Sequence, residues 1–300
     1  MGAISEKRKG ELYLYPNIVV WGLFPVMTAF SFTQVPSLLS YAWSLLFATL
    51  FFSLTISLRG KWNEIRNLEL WRHTVFILLF IGIWYYGFYF VGLSLTTPGN
   101  AAIISLFEVL TSVVFFHILR RDHISREHVA GAALMILGAL VVLGRNFSHV
   151  NLGDLFILCA TLASPIGNLF QQRAREVASS DMVMFLRSAT TIPFALALAY
   201  LLGMQAPLID VRAGLVVLIL NGVLFLGIQK VLWIEAIHRI SVTKAVALSS
   251  LAPFVTLVAA WAVLNQSPTV WQLASLAPFV LGTLFLTDQI SMRSHPRTTS

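Results

Sequence analysis

The sequence predicts an all-α, polytopic membrane protein with ten transmembrane helices, arranged as two inverted five-helix repeats around a central cavity. Hydrophobic residues make up 57% of the 300 residues and charged residues only 11%, whereas a soluble domain carries about 25% charged residues. Such a chain lacks the polar surface that a water-soluble globule needs. Long unbroken apolar runs, such as residues 133–143, also exclude the alternating ten-residue segments of a membrane β-barrel.

Each helix is predicted from an apolar run long enough to cross the hydrocarbon core, which takes about 20 residues. The ten predicted spans are residues 16–34, 38–58, 71–93, 98–119, 128–145, 151–172, 182–202, 212–236, 243–264 and 270–289. The loops between them are short, so consecutive helices are expected to be antiparallel neighbours.

The positions of lysine and arginine predict the orientation of these spans. Of the 20 lysine and arginine residues, sixteen fall on one side of the membrane and two, Arg145 and Arg212, on the other. The last two, Arg187 and Lys230, fall inside spans. Because cytoplasmic loops are enriched in these residues, both termini are predicted to be cytoplasmic, in a protein of the plasma (inner) membrane.

Several classes of function are disfavoured by the composition. The single cysteine, Cys159, provides neither a disulfide framework nor a cysteine-based metal site. The net charge of +7 is scattered through short loops instead of forming one basic face, so no nucleic-acid partner is expected. Neither a zinc-protease, nor a P-loop, nor a serine-hydrolase motif occurs, and we expect neither enzymatic activity nor a cofactor.

The chain repeats itself at an offset of about 144 residues, which predicts two domains, residues 1–150 and 151–300. The offset aligns the second to fifth spans with the seventh to tenth. Aligned positions include Trp43 with Arg187, Tyr89 with Trp233, Ala101 with Ala245, Ser105 with Ser249, and Gly138 with Gly282. Since each half has an odd number of spans, the second half is predicted to insert upside down, as in many secondary transporters. The alternative is a duplicated bundle that does not transport.

The repeated segments resemble those of the EamA type in the drug/metabolite transporter superfamily. They read TPGNAAIISLFEVLTSVVFFHILRRDHISREHVAGAALMILGALVVL in the first half and SVTKAVALSSLAPFVTLVAAWAVLNQSPTVWQLASLAPFVLGTL in the second. The resemblance implies a basket of ten helices, in which helices 1, 3, 4, 6, 8 and 9 surround a central cavity. It also implies export of amino acids and related small metabolites.

Charged residues inside the spans are the first candidates for a transport site. Glu108 lies near the middle of the fourth span, where an acid is costly unless it is paired, protonated or hydrated. We expect it to anchor a substrate amine or to carry a proton, the alternative being a structural hydrogen bond. Lys230, about 9 Å from the cytoplasmic end of its span, is expected to meet a substrate carboxylate or Glu108, or else to snorkel. Arg187 is expected to snorkel to lipid headgroups, and Glu235 to face water.

Aromatic and small polar residues complete the predicted substrate site. Tyr85, Tyr86 and Tyr89 can share one helix face and form a stacking wall, the alternative being an interfacial aromatic belt. Further predicted substrate-binding residues are Trp21, Asn168, Gln172 and Ser249, and the predicted kink or gating prolines are Pro25, Pro165 and Pro253. Hydrogen bonds between helices would explain any one polar patch, but patches on three helices favour a hydrated cavity.

Together these observations predict a secondary transporter that exports amphipathic metabolites, such as amino acids, by alternating access. Its expected partners are a small-molecule substrate, the lipid bilayer and coupling protons. A carrier of organophosphates or nucleotide sugars is the first alternative, although a phosphate would favour more intramembrane cations than two. An intramembrane enzyme with Glu108 as base is the second, and a receptor or scaffold is the third.

Overall fold

The computed structural model describes residues 5–120, 126–143 and 151–286, and these ranges are helical, with no strand. Eight helices are long and apolar enough to cross a membrane. They are α1 (Glu6–Ser31), α2 (Ser37–Arg59), α3 (Leu68–Leu95), α4 (Pro98–Leu119), α6 (Leu152–Val177), α7 (Ser180–Leu201), α8 (Leu215–Arg239) and α9 (Val242–Leu264). Two further helices are α5 (Arg126–Leu143) and α10 (Val270–Leu286).

The all-helical prediction is confirmed for the described ranges, with differences at the helix ends. α1 begins ten residues before its predicted span, because Ser5 caps it by accepting the backbone N–H of Arg8. α8 runs on to Arg239, three residues past the predicted end of its span. The last residues of the predicted fifth and tenth spans, 144–145 and 287–289, lie outside the described ranges.

The helices of the two halves pack in a pattern that is unchanged when the halves are exchanged. α2 packs on α7 and α5 on α10, so these equivalent helices pair with each other. α1 packs on α8 and α9, and correspondingly α6 packs on α3 and α4. Between α5 and α10, Gly131 and Gly282 face each other so closely that a Cβ on either would lie 2.8 Å from the other's carbonyl oxygen. Gly131 and Gly282 therefore form a close packing seam between α5 and α10.

Equivalent helices are also irregular at equivalent places. α3 has a π-helical segment at Leu78–Tyr85 and α8 has one at Asn221–Ile228. α4 is interrupted at Leu106, and α9 narrows to a 3-10 turn at Ser249–Leu251. Such segments are frequent at functional sites because they change the face on which later side chains emerge. In both halves some of the residues that line the central cavity lie at or next to these irregularities, among them Tyr85, Leu106, Gln229 and Ser249.

Candidate functional site

A cavity with about 790 Å³ of space between protein atoms lies in the centre of the helix bundle. It is lined by α1, α3, α4, α6, α8 and α9, the six helices that the family resemblance implied, and by one residue of α7. This space includes the part of the cavity that is open to solvent. Of the predicted site and kink residues, it is lined by Trp21, Pro25, Tyr85, Tyr86, Tyr89, Glu108, Asn168, Lys230, Ser249 and Pro253.

Glu108 lies half-way along α4, and its carboxylate is held by α6. The Ser164 hydroxyl donates a hydrogen bond to Glu108 Oε1, and Asn168 Nδ2 lies 3.2 Å from the same oxygen. The irregularity at Leu106 lies two residues before Glu108. Glu108 therefore faces a polar cluster inside the bundle instead of lipid.

Asn168 is the centre of this polar cluster, and both ends of its amide are hydrogen-bonded. Nδ2 donates to Glu108 and, at 2.9 Å, to Ser164 Oγ. Oδ1 accepts from Gln171 Nε2 and Trp233 Nε1, each at 3.0 Å. Because a fully satisfied amide has one preferred orientation, the cluster fixes the position of the Glu108 carboxylate.

Two cations face the same cavity. The Lys230 ammonium lies 4.1 Å from the centre of the Trp21 ring and 5.4 Å from that of Tyr86, and the side chain is 7% exposed. Arg187 of α7 is 1% exposed, with its guanidinium carbon 5.6 Å from the Tyr86 ring. The expectation that Arg187 snorkels is therefore wrong, because its side chain points across the bundle toward α3 and α8. No ion pair joins Lys230 to Glu108 within the described residues.

The predicted tyrosine wall is buried at the centre of the bundle, so it is not an interfacial belt. Tyr85, Tyr86 and Tyr89 are each at most 5% exposed. Tyr85 stacks on Tyr89 with 5.9 Å between ring centres, and Tyr86 stacks on Tyr41 of α2 at 5.5 Å. The Tyr41 hydroxyl donates to the Gly82 carbonyl inside the π-helical segment of α3. This contact ties the wall to the irregularity that positions it.

Gln172 and Pro165 are not among the residues that line the cavity, and the expectation that Glu235 faces water is wrong. Gln172 donates to the Ile237 carbonyl at 2.5 Å, and its neighbour Gln171 takes its place, because residues 164, 168 and 171 share one face of α6. Pro165 is buried one position away from that face. Glu235 does not face water: its carboxylate accepts from Arg175 and Arg239, and it is 12% exposed.

Sequence reasoning missed Arg187, Gln171 and the pair formed by Asn17 and Gln229 as cavity residues. Gln229 Nε2 donates to Asn17 Oδ1 at 2.8 Å and links α1 to α8 across the repeat interface. Both are polar residues at membrane depth, which is the signal that could have identified them. Within the described part of the chain, no three His, Cys, Asp or Glu residues come together as a metal site requires.

Comparison with known proteins agrees with this architecture. The EamA-like transporter family matches residues 8–144 and 151–288, that is, nearly the whole chain in two repeats. The chain belongs to the EamA-like transporter family. It is therefore an integral membrane protein and a membrane transporter, as the resemblance implied. Membership in a family of transporters also supports the prediction that the chain is not an enzyme.

Individual relatives of this EamA-like transporter are distant. A curated protein of Bacillus subtilis (strain 168), the "Uncharacterized transporter YyaM", is 24% identical over 222 residues, which cover 69% of this chain and 70% of that protein. A solved crystal structure has a TM-score of 0.70 and 21% identity, and the match covers 94% of this chain and 98% of that one. At this identity the structure supports the fold alone.

Proposed function

We propose that the protein is a secondary transporter that exports small amphipathic metabolites, such as amino acids or related compounds, by alternating access to the central cavity. The observation that carries the proposal is the lining of that cavity. One acid, two cations and a wall of three tyrosines face a single cavity. An amino acid has the matching groups: an amine for Glu108, a carboxylate for a cation and a side chain for the aromatic wall.

Alternating access requires two units that can rock about a site between them, and the inverted repeat that we propose supplies these units. The ends of the helices support it. At one end of the bundle Glu6, in the first turn of α1, pairs with Arg239, and Glu235 beside it pairs with Arg175 near the end of α6. α1 thus begins where α6 ends, which is the relation expected for first helices of oppositely oriented copies.

Coupling to protons is proposed to run through Glu108. It is the acid in the cavity lining, and its partners Ser164 and Asn168 can accommodate a neutral as well as a charged carboxyl. The sequence shows no cluster of oxygen ligands that argues for sodium in place of protons.

Transport by purified protein in sealed vesicles tests the proposal. Vesicles loaded with one unlabelled amino acid should accumulate the labelled form by exchange, and a pH gradient should drive net movement. Glu108→Gln should abolish this movement or make it independent of the gradient, whereas Glu176→Gln, an exposed acid of α6, should not. Chemically altered label inside the vesicles, or wild-type behaviour of Glu108→Gln, would contradict the proposal.

A carrier of organophosphates or nucleotide sugars is the second candidate, and one observation favours it. Arg187 brings a second cation to the cavity, where the sequence alone suggested only Lys230. The same vesicles, loaded with a phosphate monoester in place of an amino acid, distinguish the two candidates by which label exchanges.

The proposed location is the plasma membrane with both termini in the cytoplasm. The excess of lysine and arginine at one end of the bundle supports it. A reporter fused to either terminus should be active if it is of the kind that functions in the cytoplasm. Activity of a reporter that functions only outside the cytoplasm would show that the orientation is the reverse of the proposed one.

A further inference from the structure

Arg187 and Lys230 give the cavity an excess of positive charge. The charged side chains in its lining are these two cations and one acid, Glu108. The Glu108 carboxylate already accepts hydrogen bonds from Ser164 and Asn168. Neither cation lies within 4.0 Å of a carboxylate among the described residues. The protein itself therefore leaves one positive charge without a counter-ion.

A buried cation without a counter-ion destabilises the protein, so its presence indicates a function. Cations inside a membrane protein are normally paired, because neither lipid nor apolar side chains replace their hydration. Arg187 Nη2 reaches the Leu226 carbonyl only at 3.4 Å, and the buried Nη1 forms no hydrogen bond within the described residues. The faces of Trp21 and Tyr86 compensate the charge only partly.

The repeat shows that the fold itself does not need a cation at position 187. The aligned residue of the first half is Trp43 of α2, whose ring packs against Phe47 at 6.4 Å between ring centres. An apolar side chain is thus accepted at the equivalent place in an equivalent helix. The arginine distinguishes the second half and lines the cavity, and its buried Nη1 has no hydrogen-bond partner among the described residues.

We propose that Arg187 and Lys230, which both lie close to the Tyr86 ring, form an anion subsite that binds the carboxylate of the transported molecule. The planar guanidinium presents two parallel N–H donors that match a carboxylate, and the ammonium adds a point charge. Ser249 lines the same cavity, and its hydroxyl forms no hydrogen bond within the described residues. This inference rests on the proposed function, because it names the charge of the group that the transporter recognises.

Ligand-induced stabilisation of the purified protein tests the subsite without requiring transport. The probes are acetate, phosphate, and matched pairs that differ in one carboxylate: phenylalanine with phenylalaninamide, and leucine with leucinamide. Each is added at constant ionic strength to wild-type protein, Arg187→Gln, Arg187→Lys and Arg173→Gln, and the shift in thermal unfolding is titrated. Arg173 is a matched control because it is an exposed arginine on the neighbouring helix α6.

The carboxylate member of each pair, or a simple anion, should stabilise the wild type more than the amide does. Arg187→Gln should weaken this binding by about tenfold or more, Arg187→Lys should retain part of it, and Arg173→Gln should bind as the wild type does. Phosphate binding that exceeds carboxylate binding would assign the subsite to a phosphate ester and overturn the carboxylate assignment. The subsite is also overturned if no anion stabilises the wild type, or if Arg187→Gln still prefers anions. Failure of vesicle exchange alongside anion binding would instead overturn transport and leave the subsite in place.

Discussion

The Asn168 amide is the most informative single residue to change, because it connects the Glu108 carboxylate to three other side chains. Asn168→Asp keeps the acceptor that Trp233 and Gln171 use but removes Nδ2, which donates to Glu108 and Ser164. It also places a second carboxylate about as far from Glu108 Oε1 as Nδ2 is now, 3.2 Å. We expect the variant to fold less stably than the wild type.

The size of the loss follows from that distance. Two full charges 3.2 Å apart repel by about 5 kcal/mol at an effective dielectric constant of about 20. A proton shared between the two carboxyl groups limits this repulsion, but the lost amide donor adds about 1 kcal/mol or more. The free energy of unfolding should therefore fall by about 1–6 kcal/mol, where the lower limit is the lost donor alone and the upper limit adds the full repulsion.

A double-mutant cycle separates this repulsion from a general cost of burying charge. Combining Asn168→Asp with Glu108→Gln restores one carboxylate and one amide with their positions exchanged, so most of the stability should return. Asn17→Asp is the matched control, since Asn17 is also a buried cavity residue but accepts its hydrogen bond from an amide, Gln229. Unfolding in a denaturing detergent is the measurement. A double variant no more stable than Asn168→Asp would refute the geometry of this cluster.

Three further predictions concern packing, the ion pairs at the bundle end, and the cation–aromatic contact. Gly131→Val should lower the free energy of unfolding by about 1–3 kcal/mol, because its Cβ would lie 2.8 Å from the backbone of α10. Gly87→Val is the control, since a Cβ at position 87 meets no atom within 4 Å, and equal losses of stability would contradict the packing seam. Glu235→Gln should lower the free energy of unfolding by about 1–3 kcal/mol, and by less at high salt, while Glu176→Gln, at an exposed position, should leave it nearly unchanged. A loss that does not depend on salt would contradict an electrostatic origin. Trp21→Leu should lower the free energy of unfolding by about 0.5–2 kcal/mol, because it removes the ring that contacts Lys230, and Trp21→Phe should lower it less. Equal destabilisation of the two variants in thermal unfolding would contradict a cation–aromatic contribution.

Much of the architecture could be predicted from the sequence because hydrophobicity and repetition are properties of the chain itself. Apolar length marks a helix, and the offset of about 144 residues pairs the halves. The π-helical segments could not be predicted this way, since Leu78–Tyr85 and Asn221–Ile228 are apolar runs with ordinary helical composition. They depend on tertiary contacts, such as the hydrogen bond from Tyr41 to the carbonyl of Gly82.

The depth of a residue can be counted along the sequence, but its direction around the helix is predictable only where several polar residues agree. Ser164, Asn168 and Gln171 lie on one face of α6, so the cavity side of this helix can be predicted, although the cavity is lined by Gln171 and not by the predicted Gln172.

On α7 the polar residues that follow Arg187, namely Ser188, Thr190 and Thr191, do not share one face. The depth of Arg187, seven residues or about 10 Å from the first residue of the helix, is compatible both with snorkelling and with the cavity. The side chain turns inward because α7 packs on α2 and α8 with that face, and the Leu226 carbonyl and the Tyr86 ring lie there to receive it. The sequence therefore does not predict whether an isolated charged residue in a span faces the cavity or the lipid headgroups. For Arg187, measuring anion binding tests whether its side chain serves the cavity.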